Sequence, residues 1–160
     1  MSFAIAHDDI SSKRRGDFGT WFLKSSEYRR WVAGSEQILF CTGIPGAGKT
    51  YIASLVIDDL RDTTIPNDKT VVVAWVYLSY TERRSQTTPN LMRSLLRQLV
   101  QGLSELPEEI SDLYKSHGEG EIPLSIIESR QALIAVARLY DQGFIEIGRA
   151  SCRERVSPRV

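Results

Sequence analysis

The run Gly43-Ile44-Pro45-Gly46-Ala47-Gly48-Lys49-Thr50 fits the pattern G-x-x-x-x-G-K-[ST]. The chemistry this spacing suits is the gripping of a polyphosphate. A triphosphate is a dense anion, and main-chain N–H groups can wrap it only where side chains do not intervene. Gly43 lets the chain turn sharply, and Gly46 and Gly48 permit close approach and backbone conformations closed to other residues. The amides from about Gly46 to Thr50, in a loop that also holds Pro45 and Ala47, are expected to converge as an anion nest. The following helix aims its positive end at the same point. Lys49 is expected to reach the β- and γ-phosphates and the Thr50 hydroxyl to ligate Mg²⁺, so ATP or ADP with Mg²⁺ is the implied cofactor. At average glycine usage of about 7%, the bare pattern arises by chance in roughly one chain of this length in two hundred.

Such a loop needs a strand before it and a helix after it. "QILFCT", residues 37–42, is a short apolar run ending at a glycine and predicts a buried strand, in which Cys41 is a small core residue. "KTYIASLVIDDL" places Ile52, Leu55, Val56 and Leu60 at helical spacing. "VVVAWVYLSY" is continuously apolar and β-branched, as a parallel strand covered on both faces should be. Thr88-Pro89 supplies an N-cap and a first-turn proline for a helix with Leu91, Leu95, Leu96, Leu99 and Leu103 on one face. Pro107 opens a short helix. Ser125 and Glu128 form a capping-box pattern ahead of a helix to about Tyr140, and "GFIEI" begins as a strand. Upstream, Ser25 or Ser26 caps a short helix to Val32, and residues 1–16 read as a poorly ordered arm. This alternation predicts an α/β fold with a parallel sheet and flanking helices.

The totals exclude several classes. The chain has 160 residues, 42% apolar and 25% charged, with 20 Lys+Arg against 20 Asp+Glu. That is about one domain, with no bulk field to draw nucleic acid or an anionic membrane. Arg14-Arg15, Arg29-Arg30 and Arg83-Arg84 read as solvated faces. Cys41 and Cys152 have no metal-type spacing and argue for a reducing compartment. His7 and His117 lack ligand partners at recognisable spacing. A cytoplasmic protein is expected, without nucleic-acid or membrane partners.

"TWFLKSSEYRRWV", "ILFCTGIPGAGKTYIASLVIDDL", "VVVAWVYLSYTERRSQTTPNLMRSLLRQLV" and "LPEEISDLYKSH" together resemble the N-terminal part of a NACHT-type, nephrocystin-3-like P-loop NTPase domain, of the STAND class and the fungal type. The resemblance runs from about Gly19 to Ile145. It implies a three-layer P-loop fold and a nucleotide-controlled signalling switch, favouring ATP over GTP, although base contacts lie outside the motif. It also implies a parent protein that oligomerises and carries C-terminal repeats such as ankyrin or WD40. By position, Gly43, Gly46, Gly48, Lys49 and Thr50 would hold phosphate and Mg²⁺. Trp21, Phe22, Tyr28 and Trp31 would either help cover the base or pack against the sheet.

The family pattern continues with a strand inserted between the first two, "(V)FIVID-A-L-DE", whose acids serve Mg²⁺ and the attacking water. Here Phe144-Ile145 begins that strand, but Glu146-Ile147-Gly148-Arg149 follows. "EIGRASCRERV" resembles the translation of a sequencing adapter. The expected organisation is therefore an arm over 1–16, a partial NTPase domain over 17–145, incomplete at its C-terminus, and a non-native tail over 146–160. With no catalytic acid, phosphate binding without hydrolysis is expected, leaving exposed edges and apolar surface as an aggregation hazard. A non-catalytic interaction fragment, or a small P-loop kinase using Arg83-Arg84 as its lid, are the competing readings. Amplification of the genomic locus is expected to lack the adapter-like codons after Ile145; finding them there overturns the tail assignment.

Overall fold

A parallel pair of strands lies between helices. The computed structural model describes residues 3–63, 70–120 and 122–149. In chain order the elements are α1 (Phe3–Ser12), α2 (Thr20–Leu23), α3 (Ser26–Val32), α4 (Lys49–Thr63), β1 (Val71–Leu78), α5 (Thr88–Gln101), α6 (Glu108–Ser116), α7 (Ile126–Ala137) and β2 (Gln142–Arg149). β1 and β2 pair in register from Val71 opposite Gln142 to Leu78 opposite Arg149. Parallel strands cannot be joined by a tight turn, and α5, α6 and α7 make the crossover.

The continuous apolar run of β1 is explained by what covers it. Val72 and Ala74 pack on Leu96 and Leu99 of α5 and on Ala132 and Val136 of α7. Val71 and Val73 face the other way, onto Tyr28 and Trp31 of α3, Ile52, Val56 and Leu60 of α4, and Phe144 of β2. Ala53 and Ile57, on a second side of α4, join Phe3 of α1 and Tyr77. Ile57 and Leu60 are fully buried, each contributing about 1.5–3 kcal/mol. The edge of β1 away from β2 is capped by side chains. Gln98 accepts from Trp75 N and donates to Trp75 O (3.0 and 2.8 Å). Gln86 accepts from Ser79 N and donates to Tyr77 O (2.8 and 2.7 Å).

Helix boundaries follow local chemistry. Ser25 caps α3 by accepting from Tyr28 N. Ser125 and Glu128 form both halves of the expected capping box. Thr87, with its extended backbone, occupies the N-cap position of α5 without a side-chain capping bond, one residue before the expected Thr88. α7 ends at Ala137, earlier than expected, and Tyr140 turns inward so that its hydroxyl donates to Leu99 O (2.6 Å).

Two expectations are corrected. Residues 3–12, read as part of a poorly ordered arm, form α1, because Phe3 and His7 find buried sites against α4 and β1. Residues 37–42, read as a buried strand, form none. Leu39 faces the core, but Ile38 and Phe40 are 79% and 83% exposed, and Cys41 is exposed. A strand requires a neighbour's backbone partners. Among the described residues, 36–43 make no backbone–backbone hydrogen bond. Among the described residues, no helix is long and apolar enough to cross a membrane.

β2 runs without a break through Glu146 to Arg149; residues 150–160 of the expected tail lie outside the described residues. Glu146 opposes Trp75, and burial pushes its carboxyl up to about 7. A folded value above the ordinary 4.5 means that the folded protein holds this proton more tightly. Stability from this site is therefore intact below the ordinary value and is lost as pH rises toward 7, by on the order of 3 kcal/mol. Urea unfolding is expected to show wild-type protein weaker at about pH 8 than at about pH 5, with that difference largely removed in Glu146→Gln.

Candidate functional site

The loop between residues 43 and 49 is a tight turn feeding directly into α4. Ala47 N donates to Ile44 O at 3.2 Å, closing the turn. Gly46 and Gly48 have φ of 84° and 85°, the left-handed region that other residues enter at about 1–2 kcal/mol. Tyr51 N and Ile52 N both donate to Gly48 O, at 2.9 and 3.0 Å, which starts the helix. Among the described residues, the amides of Gly46, Gly48, Lys49 and Thr50 have no acceptor within the chain. These are the donors that a helix start leaves unpaired, beside the positive end of the helix dipole.

The side chains converge on the same place. Lys49 Nζ donates to Gly43 O and Ile44 O at 2.7 and 2.8 Å, which holds the ammonium under the loop. Thr50 Oγ1 donates to the carbonyl of Arg149. The first turn of α4 is thereby fastened to the C-terminal end of β2, where ligands sit in open α/β sheets. Gly43, Pro45 and Ala47 complete the loop. The structure thus brings all seven residues singled out from the motif, 43 and 45–50, into one turn.

This donor set suits an oxyanion. It offers unpaired amides, one ammonium and one hydroxyl. A Mg²⁺ ion here would draw on the Thr50 hydroxyl and on phosphate oxygens. No cluster of three or more His, Cys, Asp or Glu suited to a metal occurs among the described residues.

Three of the four aromatic residues take the second of their two expected places, packing against the sheet. Phe22, Tyr28 and Trp31 are in the core, with Trp31 edge-on to Phe144 at 4.9 Å. There their apolar area covers one face of the sheet. Tyr28 also donates to Asp59 Oδ2 at 2.6 Å; burial, then this carboxylate, pushes its hydroxyl well above the usual range. Trp21 is 67% exposed. The aromatic that does reach the loop is Phe18. A Cβ added to Gly48 would lie 2.6 Å from Phe18 Cζ, and the Phe18 and Tyr51 rings meet edge to face at 5.9 Å. No periodicity in the sequence marks Phe18; only the packing of the chain before α2 brings it there. Arg83, considered for a lid, lies over the ring of Tyr80 at 5.0 Å.

Replacing either positive-φ glycine by alanine separates strain from crowding. Gly46→Ala meets open space and is expected to cost about 1–2 kcal/mol in urea unfolding. Gly48→Ala should cost more, because Phe18 must also move.

Comparison with known proteins extends over most of this architecture. The family described as "Nephrocystin 3, N-terminal" matches residues 17–143. The vegetative incompatibility protein HET-E-1 of Podospora anserina is 28% identical over 98 residues, covering 61% of this chain and 7% of that protein. The chain therefore spans a small fraction of this relative's length. No solved structure matches.

Proposed function

Since the chain belongs to the nephrocystin 3 N-terminal family, we propose that loop 43–50 binds the polyphosphate of a nucleoside triphosphate, ATP in preference to GTP, as the front part of a NACHT-type switch. One observation carries this reading. Two left-handed glycines free the amides of Gly46, Gly48, Lys49 and Thr50 at the start of a 15-residue helix. The Lys49 ammonium is already beneath them.

Each residue has a distinct task. The amides grip phosphate oxygens by short charge-assisted bonds. Lys49 exchanges two carbonyl acceptors for phosphate oxygens. Thr50 offers its hydroxyl oxygen to Mg²⁺, which would neutralise part of the phosphate charge. Binding without hydrolysis follows from the strand end next to Thr50. There β2 presents Gly148 and Arg149, and Glu146 lies two residues further back. Among the described residues of that strand end, neither Gly148 nor Arg149 is an acid.

A parent protein that oligomerises and carries C-terminal repeats, and a cytoplasmic setting, belong to the same proposal. A second reading, a non-catalytic interaction fragment, draws on the exposure of Ile38, Phe40, Ile44, Ile145 and Ile147. Titration of the purified chain with fluorescent ATP separates the two. Mg-ATP is expected to bind and to be displaced by ADP, and Lys49→Ala should weaken it by about 10- to 150-fold, as loss of a charge-assisted contact does. Equal affinity in the two proteins defeats the first reading, and phosphate release above background defeats the claim of no hydrolysis.

A further inference from the structure

Residues 3–19 lie along α4, and all but the last three precede the span matched by the family. The contacts of this segment descend the helix toward the phosphate loop. At Asp58 the carboxylate accepts from His7 Nε2 (2.8 Å), Ser11 Oγ (2.7 Å) and Arg14 Nη1 (2.9 Å). Burial raises this carboxyl, but the three donors outweigh burial and leave it below its ordinary value. One turn lower, Arg14 Nη1 also donates to Ser54 Oγ (3.1 Å). Gly19 then passes Leu55 and Ile52 so closely that an added Cβ would lie 2.6 Å from Ile52 Cδ1. Phe18 ends the series against Tyr51 and Gly48. Positions 58, 54–55, 51–52 and 48 are spaced by three or four residues, one face of a helix.

The same face of α1 is also tied to β1. His7 Nδ1 pairs with the Tyr77 hydroxyl at 3.0 Å, and Trp75 Nε1 donates to Phe3 O at 3.3 Å. His7 is 2% exposed, so its two partners fix α1 both to the sheet and to α4.

We propose that residues 3–19 are a brace that positions the phosphate loop. The polar knot at Asp58 anchors the segment, and Phe18 holds the Gly48 turn from which the loop's free amides project. Phe18, Asp58, His7 and Arg14 are positioning residues, acting on a bound phosphate only through Gly48. The effect on affinity rests on the polyphosphate reading; the effect on loop order does not.

Amide hydrogen exchange at Tyr51 and Ile52 reads the Gly48 turn directly, because both amides donate to Gly48 O. Phe18→Ala is expected to speed exchange at these two amides by about tenfold, as a local opening would, with α7 unchanged. Fluorescent ATP should then bind at least fivefold more weakly, a loss of about 1 kcal/mol. Asp58→Asn should move both readouts the same way from a residue remote from the loop, and Phe18→Tyr should restore both. Unchanged exchange in Phe18→Ala, or tighter ATP binding in it, overturns the brace. Should Asp58→Asn fail to fold, Phe18→Ala decides alone. Should wild-type protein not bind ATP, the function proposed above fails and the exchange comparison still judges the brace.

Discussion

The burial of α4 is the constraint on which the remaining features depend. Three groups of neighbours meet on this one helix: the aromatic side chains of α2 and α3, the two strands, and α1. Its position is thus over-determined, and its first turn cannot drift from the end of β2, where Thr50 meets Arg149 O. On the polyphosphate reading proposed above, a loop that acts through the direction of a few amides needs such an immobile base. Its conformation is costly for any residue but glycine, and packing must hold it in place.

Polar groups in this protein mark the boundaries of the packed elements. Gln86 and Gln98 occupy the outer edge of β1 with amide side chains that reproduce the donors and acceptors of a neighbouring strand. That leaves the edge paired without adding a strand, a way of blunting it against other chains. Asp58 joins α1 to α4 through His7 and Ser11, and holds Arg14 just beyond α1 as a third donor. Glu146 is the contrary case: a carboxyl in β2 with burial as the cause of its raised value. Its nearest consequence is at Tyr77, whose hydroxyl is pushed up by burial and then by the Glu146 charge.

The elements legible in the sequence were those whose signal is local. Leucine spacing gave α5, Ser125 with Glu128 gave the start of α7, and the β-branched run gave β1. The turn at 46–48 was legible, because the left-handed backbone of Gly46 and Gly48 is a requirement that no neighbour can relax. The illegible parts depended on distant partners. The apolar character of 37–42 promised a buried strand, yet Ile38 and Phe40 stand exposed, since apolarity cannot supply the paired neighbour a strand needs. The mixed composition of residues 3–12 hid a helix whose stability comes from Asp58, Trp75 and Tyr77, some fifty to seventy positions away.

The sequence alone determined which groups the loop offers, because glycines, a lysine and a threonine at fixed spacing define donors and freedom of rotation without reference to the rest of the chain. Only the tertiary structure decided what stands around that loop. It sent Phe22, Tyr28 and Trp31 into the core and brought Phe18 to Gly48. It also folded the first residues of the chain along the helix that carries the site. Those outcomes are settled by competition for buried area and for hydrogen-bond partners, and that competition exists only once the elements have met.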